Sequence, residues 1–418
     1  MQRNRRVVMW GVGLAVVGLT AWGLLDVAQA QTKVVKIGIL APLSGNSAAD
    51  GEEMVRGAQL AVKEINAAGG VSGYRFEVIT GDTKDQTPDA VTSAFERISG
   101  DKDVHFMATG YASSTNFEID LMAKANMPYL VSANSAQTRD IIAKAPDKYP
   151  TVWSLTPSYD AYETQVLPVI QSLEKQGLVK LPNKKLAIVS SDNPYSKTIF
   201  EGLKRSFTRA GWTVTVQDLL PFGEISDWRA FLGKVRADPP AVLINTDYLP
   251  ANAATFMTQF LENPTNSLVF IQYAPSVPEF VELTKGKSTG VLYNLLGGVL
   301  NTPGNPRAAV VLKKFRDEYK VESGSYGAAL YESVYIYADA LRKVKDPTKR
   351  LEIGKALGAT NKQLASGRLV FDQKTHLARQ GDAFIPLQFY QLWEGNRVLI
   401  NPTKYATGKF QAPPWMKK

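Results

Sequence analysis

Apolar segments of two different periods alternate along this chain, and that alternation restricts its fold more than any other feature. Residues 34–40 form an apolar run of strand length, rich in β-branched side chains. After a Pro/Ser/Gly loop, residues 50–68 repeat apolar side chains at Met54, Ala58, Ala61 and Ile65, a helical stripe closed by Gly69-Gly70. Residues 76–80, 104–109 and 128–131 read as further strands, with helices over 88–99 and 114–125. The pattern restarts after Trp153. Strands are expected at 185–190, 213–217, 241–245 and 268–272, with helices over 196–210, 227–237 and 251–261 between them. Helices over 306–320 and 328–345 and late strands at 368–372 and 386–394 complete the reading. Two successive runs of strand and helix predict an α/β fold of two doubly wound parallel-sheet lobes. In open sheets of this kind ligands sit outside the carboxyl ends of the strands, so a cleft between the lobes is the expected binding place.

The first 30 residues belong to a different category. Arg3, Arg5 and Arg6 precede an uncharged, mostly apolar stretch over 7–25, and Ala28-Gln29-Ala30 supplies small residues at a cleavage position. That order predicts a secretory signal peptide cut after Ala30. The rival is an uncleaved anchor, since a stretch of this length just reaches across a bilayer. The small-residue site favours the signal and hence a periplasmic protein, with Arg5-Arg6 leaving twin-arginine export open beside the general route. There is no cysteine among the 418 residues, which excludes disulfides, thiolate metal sites, cysteine nucleophiles and a lipidated cysteine. His105 and His376 are the only histidines, so no metal site or cofactor is expected. Lys and Arg exceed Asp and Glu, 48 to 39, but the excess is spread along the chain. A nucleic-acid partner would call for a concentrated basic face, so none is expected.

A search for catalytic motifs returns little. There is no Gly-x-Ser-x-Gly elbow, no His-Glu-x-x-His and no dinucleotide glycine fingerprint. Gly286-Lys287-Ser288 resembles the end of a phosphate loop, but Val281 stands where the first glycine would be. The polar loops at strand ends carry more. Tyr111, Ser113 and Ser114 follow strand 104–109 and open a helix, where hydroxyls and free amides suit an anion or simply cap the helix. Asn134 and Ser135 sit at the same edge one strand later. Tyr195 occupies the equivalent edge of the second lobe, with Asp247 and Tyr248 two strands on. The tyrosines close over a ligand or stand as ordinary surface residues.

Residues 37–45 (I-G-I-L-A-P-L-S-G) and 57–71 (G-A-Q-L-A-V-K-E-I-N-A-A-G-G-V) resemble the opening of the leucine/isoleucine/valine-binding protein family, the type I periplasmic solute-binding components of ABC importers. The likeness continues through the Ser113-Ser114 loop, residues 192–195 and Phe371-Asp372, so it spans most of the chain after the signal. It implies two lobes closing on a solute about a hinge of three crossing strands, near Trp153, Val291 and Pro386. The first lobe would hold residues 33–152 and 292–386, the second 153–291 and 387–418. The expected partners are a small-molecule ligand and an inner-membrane permease, with no chemistry performed.

In amino-acid-binding members the first-lobe loops hold the ligand carboxylate, which carries onto Ser113, Asn134 and Ser135, while a second-lobe tyrosine carries onto Tyr195. Ser44 and Asn46 would meet the ligand from above. One departure stands out: the second-lobe stretch that supplies an acid for the ammonium reads Ile271-Gln272-Tyr273-Ala274-Pro275 here. Either Asp247 replaces that acid, or the ligand is an aromatic or aliphatic carboxylate without an amino group, stacked on Tyr111 and Tyr273. A branched-chain or other hydrophobic amino acid is thus the first expectation and an amine-free carboxylate the second. A ligand-sensing subunit for a membrane receptor, and a periplasmic hydrolase, are the competing functions.

Overall fold

The computed structural model describes residues 33–113 and 116–416; the expected signal segment, residues 1–30, lies outside the described residues, as does Ser114. Strands β1 (Lys33–Ala41), β2 (Tyr74–Asp82), β3 (Val104–Thr109), β4 (Tyr129–Val131) and β5 (Val152–Ser154) form a parallel sheet in the order β2-β1-β3-β4-β5. Helices α1 (Ala48–Ala67), α2 (Pro88–Ser99), α3 (Glu118–Lys124) and α4 (Ala136–Lys144) connect its strands. The second sheet takes β6 (Lys185–Ser191), β7 (Thr213–Leu220), β8 (Val242–Asn245), β9 (Leu268–Ile271), β10 (Leu292–Leu296), β13 (Leu387–Trp393) and β14 (Asn396–Asn401). Its order is β14-β13-β10-β9-β8-β6-β7. Helices α5 (Ala161–Lys175), α6 (Pro194–Arg209), α7 (Arg229–Ala237), α8 (Pro250–Glu262) and α9 (Pro278–Thr284) cover it. The remaining elements, α10 (Pro306–Tyr319), α11 (Ser325–Val344), α12 (Arg350–Gly358) and the hairpin β11 (Asn361–Leu364) with β12 (Gly367–Val370), lie between β10 and β13 in the chain.

This is the two-lobed α/β architecture expected from the alternation, but the second sheet is not wholly parallel. The second sheet is mixed: β13 pairs antiparallel with β10, and β14 antiparallel with β13. The turn at Glu394-Gly395, both with positive φ, joins β13 to β14 as a hairpin, which needs no crossover helix. Helices α4, α5, α9 and α12 and strands β5, β10, β11 and β14 are absent from the sequence-based reading; α4 buries only Thr138 and Ile142, and α5 carries Pro168 in its interior. Helix α3 is described from Glu118, four residues after the expected start at 114.

The chain visits the first lobe twice. Val35, Ile37 and Ile39 of β1 and Phe106 of β3 share a core with Tyr337 and Leu341 of α11, Leu369 and Ile385. Helix α11 lies close on α1 because both present glycine at the crossing. A Cβ on Gly57 would stand 2.1 Å from the Gly327 carbonyl oxygen. The Glu53 carboxylate, one turn earlier on α1, accepts the Gly327 amide at 2.5 Å and the Ser323 hydroxyl at 3.1 Å. Free amides at the start of α11 are satisfied in this way by a side chain from another helix. The contact holds Tyr326, the second residue of α11, at the border between the sheets. The second sheet carries two cores, one on each face. Ile188, Ile244 and Phe270 pack against α5 and α6 on one face, and Ala187, Leu243 and Val269 pack against Trp228 and Phe256 on the other.

Replacing Gly57 by alanine should lower stability by about 1–3 kcal/mol through overpacking against the Gly327 backbone. Gly233 in α7 has open space where a Cβ would go. Gly233→Ala should leave stability equal or raised by about 1 kcal/mol. Urea unfolding of both variants measures the contrast, and equal midpoints would contradict the close crossing.

Candidate functional site

The strand-end loops after β3, β4, β6, β8 and β9 all contribute residues to the border of one space between the two sheets. A cavity of about 220 Å³ is bordered on the first-lobe side by Asp50, Tyr111, Ser113, Glu118 and Ser135. Tyr195, Tyr248 and Tyr273 face it from the second lobe, and Tyr326 from α11. A smaller space of about 50 Å³ lies behind the tyrosines, where Asn134, Thr156 and Gly297 meet.

Local chain geometry accounts for most of these positions. Ser135 caps α4: its Oγ accepts the Thr138 amide at 3.1 Å and donates to the Asn116 side-chain oxygen at 2.9 Å. Asn193 caps α6 in the same manner, with the Ser196 amide at 2.9 Å, and this sets Tyr195 in the first turn. Tyr273 is the centre of a γ-turn: φ is 60° and ψ −56°, and the Ala274 amide donates to the Gln272 carbonyl at 2.7 Å. A bulky residue in that region is strained, and such strain is retained where the surroundings hold it. Here the hold comes from the far end of the side chain, since the Tyr273 hydroxyl donates to Asp50 Oδ1 at 2.9 Å. The Tyr111 hydroxyl donates to Asp50 Oδ2 at 2.6 Å. One carboxylate in the first turn of α1 therefore ties a first-lobe loop to a second-lobe loop.

The electrostatics are one-sided. Asp50 and Glu118 are both buried, each 6% exposed. Burial pushes the Asp50 carboxyl up to about 6 against the opposing pull of the two tyrosine hydroxyls. Burial likewise raises Glu118 to about 7, although the Ser113 hydroxyl donates to it. Glu53 is raised to about 7 by burial, with the neighbouring Asp50 adding to the effect. Among the described residues that border the cavity there is no Lys, Arg or His. Asp192 at the rim is paired with exposed Lys197 at 2.9 Å.

The architecture has known counterparts. The periplasmic binding protein family model matches residues 34–388. This chain belongs to the periplasmic binding protein family. Among curated relatives, the Leu/Ile/Val-binding protein homolog 8 of Brucella abortus is 24% identical over 391 residues, covering 90% of this chain and 93% of the relative. Among solved structures, a protein assigned to branched-chain amino acid ABC transport in Silicibacter pomeroyi has a TM-score of 0.80 at 29% identity, covering 92% of this chain and all of that one. The LivJ substrate-binding protein of Streptococcus pneumoniae, solved with isoleucine, has a TM-score of 0.71 at 21% identity, with 88% of this chain and all of that one covered.

Within this periplasmic binding protein, the residues singled out from sequence separate into three groups. Tyr111, Ser113, Ser135, Tyr195, Tyr248 and Tyr273 all border the large cavity. Asn134 is buried behind it, its amide donating to the Ser154 hydroxyl. Asp247, Ser44 and Asn46 do not border it. Asp247 is fully buried and spends its oxygens on the Leu249 amide at 3.1 Å and the Asn252 amide group at 2.7 Å, so it is a turn-forming residue. Ser44 is exposed and donates to Asp82 at 2.8 Å, and Asn46 is exposed as well. The acid that the loop after β1 contributes is instead Asp50, one turn along. Asp50 and Glu118 have a sequence signal, each being an acidic residue in the first turn of a helix after a strand-end loop. Tyr159 and Tyr326 have none; one follows a crossing segment and the other lies on a helix from the far half of the chain. No group of three or more acidic, His or Cys side chains is placed to hold a metal ion among the described residues.

The raised carboxyls have a pH signature with a definite sign. A carboxyl whose folded-state value lies above its unfolded value stabilises the fold in its protonated form, and that contribution is lost as pH rises through the folded value. For Glu118 the window runs from about 4.5 to about 7. The melting temperature of Glu118→Gln relative to the unsubstituted protein should therefore rise between pH 5 and pH 8. A difference that stays flat or falls across that interval would contradict the buried, unpaired setting of Glu118.

Proposed function

We propose that this periplasmic binding protein is the solute-capturing subunit of an ABC importer, exported by the N-terminal segment ending near Ala30 and working in the periplasm. Its lobes close about the three crossing segments, and a membrane permease receives the closed form. One observation carries the reading: the cavity is bordered by both sheets, and the Tyr273 hydroxyl of one lobe bonds Asp50 of the other at 2.9 Å. A solute seated there contacts both lobes only when they are closed, so its binding free energy shifts the population toward that form. The first crossing meets the second at Gly297, whose φ of +77° brings it against Thr156. A glycine in the left-handed region at this contact lets two chain segments cross without a side chain between them. β10 hydrogen-bonds within the second sheet, which supports a second crossing after Leu296 rather than near Val291, with residues 292–296 in the second lobe.

The solute is of amino-acid size and carries a protonated nitrogen. Buried Asp50 and Glu118 supply the counter-charge that the stretch at Tyr273 lacks, which favours an amine over an amine-free carboxylate. The names of the relatives, Leu/Ile/Val-binding proteins among them, support a hydrophobic amino acid or a close analogue. Among the described residues no helix is long and apolar enough to cross a membrane.

Thermal-shift screening of the purified protein against hydrophobic amino acids and small amines should show stabilisation of about 2.7 kcal/mol at a hundred times the dissociation constant. Tyr195→Phe, which removes one hydroxyl from the cavity border, should weaken binding by about 1–3 kcal/mol, and it should also lower the melt of the free protein, because that hydroxyl accepts from the buried Gln272 side chain at 3.2 Å. Unaltered affinity in Tyr195→Phe and Ser113→Ala together would remove the cavity as the solute site. Deletion of the gene should abolish uptake of the identified solute; a signalling defect with intact uptake would favour the sensor reading instead.

A further inference from the structure

The cavity combines two features that single out one kind of ligand charge. Among the described residues its buried acids have uncharged hydrogen-bond partners: tyrosine hydroxyls on Asp50 and the Ser113 hydroxyl on Glu118. Neither carboxyl forms an ion pair among the described residues, and the two undescribed residues in the nearby loop, Ser114 and Thr115, are neutral by sequence. An ionised carboxylate buried without a counter-charge is costly, and a cation in the adjoining space removes that cost.

Around the same space stand aromatic rings set at steep angles to one another. Tyr195 makes edge contacts with Tyr159 at 5.2 Å and with Tyr248 at 5.8 Å between ring centroids. Tyr111 meets Tyr326 edge-on at 5.2 Å. All five of these tyrosines border the cavity, and a ring face open to it attracts a cation through its quadrupole.

Among the described side chains the provision for an anion is correspondingly poor. Ser113 and Ser135 are the two hydroxyls suited to clasp a ligand carboxylate. In the structure one donates to Glu118 and the other to Asn116. Among the described residues bordering the cavity, no cationic side chain is present to offset a ligand's negative charge.

We propose that this cavity takes a small organic cation, a primary or methylated alkylammonium on an apolar body, recognised through Asp50, Glu118 and the tyrosine rings, with a ligand carboxylate contributing nothing to affinity. The proposal rests on the reading of this cavity as the solute site and narrows it to a charge class. A primary ammonium places its donors on the two carboxylates. A methylated one relies on the ring faces, which need no donor hydrogen.

Titration calorimetry of the purified protein with four probes of one carbon skeleton separates the terms. These are 3-methylbutylamine, its N-trimethylated form, leucine and 4-methylpentanoate. The amine should bind at least tenfold more tightly than 4-methylpentanoate and no more weakly than leucine, and the trimethylated form should bind within tenfold of the amine. Glu118→Gln and Asp50→Asn should each weaken the amine tenfold or more. Tyr159→Leu should weaken the trimethylated form more than the primary amine, a selectivity that general loss of structure would not produce. Leucine binding tenfold more tightly than the amine would overturn the cation assignment while leaving the solute-capturing function in place. Tighter binding of 4-methylpentanoate than of the amine would do the same. No heat from any probe would overturn both the cation assignment and the amino-acid-sized solute.

Discussion

The Asp50 carboxylate sits in the first turn of α1, nearly out of water, and accepts hydroxyl hydrogen bonds from Tyr111 at 2.6 Å and Tyr273 at 2.9 Å. Those two tyrosines belong to opposite lobes, so the position of one lobe against the other depends on how this carboxylate is satisfied. A buried acceptor of this kind is costly to leave unbonded, and each tyrosine that reaches it brings a ring to the cavity border. Tyr273 does so from a strained γ-turn, which the rest of the loop would relax if the hydroxyl were not held. Closure, cavity shape and local strain are in this sense consequences of one pair of hydrogen bonds.

Behind that contact stands the crossing of α1 and α11. Gly57 and Gly327 let the two helices approach until backbone meets backbone, and Glu53 accepts the Gly327 amide in the first turn of α11. The result is that Asp50 and Tyr326, far apart in the chain, border the same space. Burial raises the proton affinity of Asp50, Glu53 and Glu118 together, since each is withdrawn from water and, among the described residues, only the Arg397 charge opposes the effect, weakly, at Glu53. Under the proposed function, a solute that brings a positive charge to this region would change the electrostatic balance of both lobes at once and so couple ligand charge to closure.

Much of the site was legible in advance for a simple reason. A doubly wound sheet exposes the carboxyl ends of its strands along one edge, so any polar loop after a strand is a candidate. Tyr111, Ser113, Ser135, Tyr195 and Tyr248 were found on that rule, and all of them border the cavity. The rule says nothing about which way a side chain turns within its loop. Asp247 follows β8 at the expected edge, yet it folds back on Leu249 and Asn252 to close a turn. Ser44 likewise turns toward Asp82. Asp50 and Glu118 lay in plain view in helix first turns, but an acid there is ordinarily explained by the helix dipole alone.

The order of elements determined by itself that the chain forms two α/β lobes with a binding edge, because strand and helix periods are local properties of neighbouring residues. It also determined the absence of thiol chemistry, since that follows from composition. Only the tertiary structure decided that the second sheet ends in an antiparallel hairpin, that α11 returns to α1, and that the cavity is acidic and aromatic with no base at its described border. These depend on contacts between residues such as Asp50 and Tyr273, or Gly57 and Gly327, that lie more than 200 positions apart. No local pattern records such a pairing, because its free energy arises only when the two segments are brought together by the rest of the fold.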